Sequence, residues 1–187
     1  MMNLPENVHI NLSPDTSFYL SKEDFNVLKG NYDLICFRTD MESRIFPRSR
    51  PNTIANEGII ELTCLDRRIV VGDISLLNSF RKFVNLIEGS ENIFTDRLHV
   101  AILSAILEKK TVLFPNSYYK NRGVYEFSLY KYPGVKFVNN PKYLKTLGYI
   151  MVSLGHSKSL KAYEALYKVL VKCIKYEEDP YNGWKKD

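Results

Sequence analysis

The chain has 187 residues, 45% hydrophobic and 25% charged, with 26 Lys and Arg against 21 Asp and Glu for a formal charge of +5. Such a chain is no disordered tail and needs no staple, because at this length it can bury about 70% of its unfolded surface. Three scattered cysteines, Cys36, Cys64 and Cys173, exclude a disulfide scaffold, and the mild positive charge comes without a nucleic-acid motif.

The first residues, Met1 to Asn7, show neither a basic nor an apolar signal-peptide region, and no apolar run nears the roughly 18 residues of a membrane helix. With lone cysteines, this predicts a cytoplasmic protein without a membrane span. Val8 to Leu12 alternates like a short strand and stops at Ser13-Pro14-Asp15, a turn signal; Ser21 to Asp24 is a polar loop or helix start. After Gly30, the run from Tyr32 to Phe37 predicts a buried parallel strand. Arg38 to Arg50 then forms a long polar loop with four arginines, a place where α/β proteins put chemistry.

Arg68 to Asp73 is the next candidate strand. From Ser75, the residues Leu76, Phe80, Phe83 and Ile87 predict an amphipathic helix ending near Gly89. Asn92 to Thr95 is a short strand, and Arg97 to Glu108 is a helix apolar on nearly all sides, hence buried. Thr111 to Phe114 is a strand stopping at Pro115, with a donor-rich loop after it, and Gly134 to Val138 is the last strand. Two lysine-studded helices close the chain, one marked by Leu144, Leu147, Met151 and Leu154, the other by Leu160, Tyr163, Tyr167, Leu170 and Ile174. Gly155 is expected to separate them, with Ser157 or Ser159 capping the second. Strands alternating with helices predict an α/β fold, a Rossmann-like, mainly parallel sheet flanked by helices.

Three clusters follow strands, and each carries a cation. In Ile93-Phe94-Thr95-Asp96-Arg97-Leu98-His99 a strand runs straight into a helix whose first turn favours anions. Arg97 adds a forked cation for carboxylate or phosphate, and His99 lies in the same turn, where the dipole is expected to keep its proton easy to donate. A capping Asp96 beside a structural His99 is the bland alternative. Phe37-Arg38-Thr39-Asp40-Met41-Glu42-Ser43 places a guanidinium, carboxylates and a hydroxyl in one turn, read either as an anion site or as an N-cap with surface ion pairs. The third cluster is Pro115 to Gly123. Together they point to one anionic ligand.

On these residues the chain resembles the polysaccharide pyruvyl transferases. Ser13-Pro14-Asp15-Thr16-Ser17-Phe18-Tyr19-Leu20 is similar to the segment leading out of that family's first domain. Arg38-Thr39-Asp40-Met41-Glu42-Ser43 is similar to its Arg-x-Asp-x-x-Ser turn, and Arg97-Leu98-His99 to its Arg-Leu-His signature. Asn116-Ser117-Tyr118-Tyr119-Lys120-Asn121 is similar to its Asn-Ser-Tyr-Gly-Lys-Asn loop, with Tyr119 at the glycine and Val100 where a glycine often follows the histidine.

The resemblance implies the C-terminal lobe of a GT-B-like fold: a linker over 1–30 resembling the inter-lobe region, a donor-binding lobe over 31–140 and C-terminal helices over 141–187. It implies transfer of pyruvate from phosphoenolpyruvate to a sugar of a glycan as a ketal, without a further cofactor or metal, and with a second chain supplying the missing lobe. Arg38, Arg97 and His99 would form the donor site, His99 as acid. Either Asp40 or Asp96 would orient it or accept a hydroxyl proton, and Ser43, Asn116, Ser117, Lys120 and Asn121 would bind substrate. A nucleotide-sugar glycosyltransferase lobe and a non-catalytic anion-binding fragment are the competing expectations.

Overall fold

A computed structural model describes residues 13–26, 29–38, 40, 42–45, 59–72, 80–156 and 159–176. The strand expected over Val8 to Leu12 and the first part of the helix from Ser75 lie outside these residues.

Six strands form one sheet: β1 (Tyr32–Cys36), β2 (Ile59–Cys64), β3 (Arg67–Gly72), β4 (Ser90–Thr95), β5 (Lys110–Leu113) and β6 (Val135–Phe137). Their spatial order is β2-β3-β1-β4-β5-β6; all neighbours run parallel except β2, which pairs antiparallel with β3 at the edge. Side-chain period sorts the core. Leu34 and Cys36 of β1 and Ile93 of β4 face α1 (Phe80–Glu88) and α2 (Leu98–Ile106). Ile35, Phe94 and Val112 face the opposite way, toward α4 (Pro141–His156) and α5 (Leu160–Ile174). The α/β expectation holds: helices cover both faces of a mainly parallel sheet.

Gly30 leads into β1 where a Cβ would meet the Ser90 carbonyl oxygen at 2.2 Å, so only glycine fits against β4 there. Strand β2 was not anticipated, because its turn, Leu65-Asp66, offers no glycine or asparagine signal. Both residues nonetheless hold positive φ, 49° and 60°, the primed-turn geometry that matches strand twist. Helix α2 stops at a left-handed Glu108 (φ 55°), with Glu108 N–H to Ala105 O at 3.1 Å and Lys109 N–H to Ser104 O at 2.9 Å.

Two boundaries depart from expectation. Gly155 does not end α4, which runs one residue further to His156. Residues 120–127, read partly as loop, form α3 (Lys120–Phe127). Ser159 caps α5, its hydroxyl accepting the Ala162 N–H at 3.3 Å. Among the described residues no helix is long and apolar enough to cross a membrane.

Candidate functional site

The carboxyl ends of β1, β4 and β5 lie side by side, and ligands in open α/β sheets sit outside such ends. Thr95 ties two of the exits together. Its hydroxyl donates to the Cys36 carbonyl at 2.7 Å and accepts the Arg97 N–H at 2.9 Å. Asp96 follows as a fully buried carboxyl that accepts the Arg38 N–H at 2.6 Å and the Ser43 hydroxyl at 2.7 Å. Burial pushes it up to about 6, against the pull of those donors and of the Arg97 charge. Asn121, buried in α3, donates its amide to the carbonyls of Asp96 (2.7 Å) and Phe114 (2.9 Å). Three strand-end loops are thereby locked around one carboxyl.

Helix α2 begins immediately beyond. Arg97 is its N-cap, with φ −94° and ψ 116°, and its side chain makes no capping hydrogen bond. Leu98 and Val100 to Ile106 are all buried, so His99 is the single exposed residue of α2. A cavity of about 240 Å³ opens over this helix start, lined by Arg38, Arg97, His99, Asn116, Lys120 and Asn121 among others. Six of the ten expected site residues therefore share one wall. That volume sits below the roughly 300–1,000 Å³ of sites for drug-sized ligands, which suits a small anion.

The remaining four are placed differently. Asp40 grips the Arg38 guanidinium through two bonds, at 2.9 and 2.6 Å, and Glu42 adds a third contact at 2.9 Å. The Arg38 bond, more than the Glu42 N–H and the Arg97 charge, holds Asp40 below the ordinary carboxylate range. Asp40 is thus committed to Arg38 rather than to His99, and Arg38 meets a ligand already neutralised. Asp96 does not cap α2 and does not reach His99; its oxygens belong to Arg38 N–H and Ser43. Ser43 serves that carboxyl and lies off the cavity wall. Ser117 is exposed and contributes its backbone N–H to the Glu42 carbonyl at 2.7 Å. The Asn121 amide nitrogen, though at the wall, is spent on carbonyls.

Sequence reasoning passed over three residues here. The carboxylate beside His99 is Asp15, its Oδ2 at 3.7 Å from Nε2. Glu42 holds Arg38 and accepts the Tyr118 hydroxyl at 2.9 Å, and Tyr118 lines the cavity with Phe83. Tyr119 sits at φ −68°, ψ −5°, so a helical residue replaces the family glycine without strain. Val100 is buried and at the wall, narrowing the space beside His99.

A family model for polysaccharide pyruvyl transferases matches residues 2–118. No curated protein gives a match. Among solved structures, a functionally uncharacterised protein from Klebsiella pneumoniae subsp. pneumoniae NTUH-K2044 is 33% identical, covering 66% of this chain and 43% of that one, with a TM-score of 0.45. The chain thus spans less than half the length of that relative. The family match covers most of the chain, includes the clusters after β1 and β4 and ends within the one after β5: this chain belongs to the polysaccharide pyruvyl transferase family.

Proposed function

We propose that the cavity over α2 binds phosphoenolpyruvate and that the protein transfers its pyruvate to a sugar of a glycan as a ketal. One observation carries this reading: Arg97, Lys120 and the start of α2 converge with His99 on a single small cavity. Phosphoenolpyruvate carries a phosphate and a carboxylate, and two cations with a helix start supply complementary charge for both. Arg38, held by Asp40 and Glu42, presents a fixed guanidinium edge rather than a free charge.

In this reading protonated His99 gives its proton to the methylene carbon, and the electron deficiency passes to C2. A first sugar hydroxyl bonds to C2 and its proton returns to the imidazole. A second hydroxyl then bonds to C2 as the C2–O bond to phosphate breaks, and its proton leaves on the phosphate. One proton ends on the new methyl group and one on phosphate, so His99 is regenerated. A second lobe facing the cavity would hold the acceptor, in the GT-B-like, two-lobed arrangement that the resemblance implies. Three buried cysteines that form no disulfide suit the cytoplasm, where we place the reaction.

The test measures phosphoenolpyruvate binding by calorimetry and phosphate release in the presence of galactose- or mannosamine-containing acceptors. Binding that weakens at least tenfold in Arg97→Ala, with turnover in wild type, is expected. Binding of a nucleoside diphosphate sugar in place of phosphoenolpyruvate, or no turnover together with unchanged binding in Arg97→Ala, would overturn the reading.

A further inference from the structure

The acid in this scheme needs a partner, and neither Asp40 nor Asp96 is available. Asp15 stands outside the strand-end clusters. It caps a short 3₁₀ turn, Thr16–Tyr19, one carboxylate oxygen accepting the Ser17 N–H at 2.9 Å. The other oxygen, Oδ2, lies 3.7 Å from Nε2 of His99, within ion-pair range although beyond a hydrogen bond. The turn is fixed to the same core: Phe18 packs against the cluster that holds Leu98, Ala101 and Ile102 of α2. Asp15 is 28% exposed in its side chain, so the anion is partly shielded from water while His99, at 65%, stays open to a ligand.

We infer that Asp15 is the positioning residue for His99, holding Nε2 with its charge so that Nδ1 faces the donor. The inference rests on the reading of His99 as the acid. An anion beside Nε2 fixes which nitrogen faces the donor. After transfer the neutral ring keeps its Nε2–H toward Asp15, and Nδ1 is the atom that takes the proton back from the sugar hydroxyl. The charged groups around the pair are few: Lys120 from α3 also acts on Asp15, and Arg97 precedes His99 on α2. The carboxyl of Asp15 lies below its ordinary range, chiefly through the Ser17 N–H and then its hydroxyl, against burial, with smaller pulls from the charges of His99 and Lys120.

Asp15→Asn separates charge from structure, since the amide oxygen can still accept the Ser17 N–H and keep the turn. We expect kcat for phosphate release to fall at least about tenfold with KM for phosphoenolpyruvate within about twofold. Asp15→Glu should recover part of the loss. An unchanged kcat in Asp15→Asn, or a loss confined to KM, would overturn the inference. A second measurement does not depend on turnover. The side-chain carbonyl carbon of Asp15, followed by NMR, should titrate at higher pH in His99→Gln than in wild type. Identical titrations overturn the pairing. A shifted titration in a protein that releases no phosphate supports the pairing and rejects pyruvyl transfer instead.

Discussion

Two aspartates are buried in this sheet, at opposite ends of neighbouring strands, and their surroundings differ in kind. Asp33, near the start of β1, receives Arg67 at 3.0 Å, the Asn92 amide at 2.7 Å and the Tyr167 hydroxyl at 2.6 Å. Glu91 steadies the same arginine at 2.8 Å, and burial, ahead of the Asp33 bond, pushes the Tyr167 hydroxyl up to about 12. Asp96, just past β4, receives only a backbone N–H and a serine hydroxyl, and burial leaves it near 6. One end binds β1, β3, β4 and α5 together through a compensated charge. The other leaves its cations, Arg97 and Lys120, on the cavity wall. A closed network rigidifies, while burying a carboxyl among neutral donors is costly.

The largest expected effect lies at the carboxyl end. His99→Gln should lower the rate of phosphate release by roughly 10²- to 10⁴-fold while the melting temperature barely moves, because His99 is exposed. A comparable loss of stability would erase the contrast between the two ends. Asp33→Ala should do the reverse, removing about 2–4 kcal/mol in urea unfolding while phosphoenolpyruvate binding at low temperature persists. The range is tempered because Arg67 is 38% exposed in its side chain and keeps Glu91.

Asp96 gives a pH test with a definite sign. Its folded value near 6 lies above the ordinary 3.8, so its contribution is fully present below the ordinary value and is lost as pH rises through about 6. Relative to Asp96→Asn, wild type should therefore lose on the order of 1–3 kcal/mol between pH 4 and pH 7, read from denaturant melts across that range. A flat difference would place Asp96 in the compensated class with Asp33. The smallest effect concerns the amino-end hairpin. Leu65→Asn relieves a left-handed residue in the β2–β3 turn and should add about 1 kcal/mol without changing ligand binding.

Much of the fold was legible because packing repeats along the chain. The continuous run of β1, the three-four spacing of Phe80, Phe83 and Ile87 in α1 and the all-round apolar α2 each announce themselves in sequence, since burial on one or both faces demands those periods. What escaped was carried by local geometry without a compositional mark. The β2–β3 turn uses Leu65 and Asp66, and α3 starts at a tyrosine that a loop could equally have held. At the site, the cluster-by-cluster reading found the cations and His99 because strand ends recur in sequence beside them. It left out Asp15, whose carboxylate stands 3.7 Å from His99. Asp40 is two residues from Arg38, and a short local bond forms with little loss of chain entropy, so it was never free for His99.

By itself, the sequence determined the α/β class, the family and the three cation-bearing strand ends, since each rests on residues within a few positions of one another. Only the tertiary structure decided how those ends are used. It brought Asp15 across to His99, buried Asp96 beneath three loops and spent Asn121 on two carbonyls. Charge and burial act through space, with strength set by distance and dielectric, and spacing along the chain fixes neither.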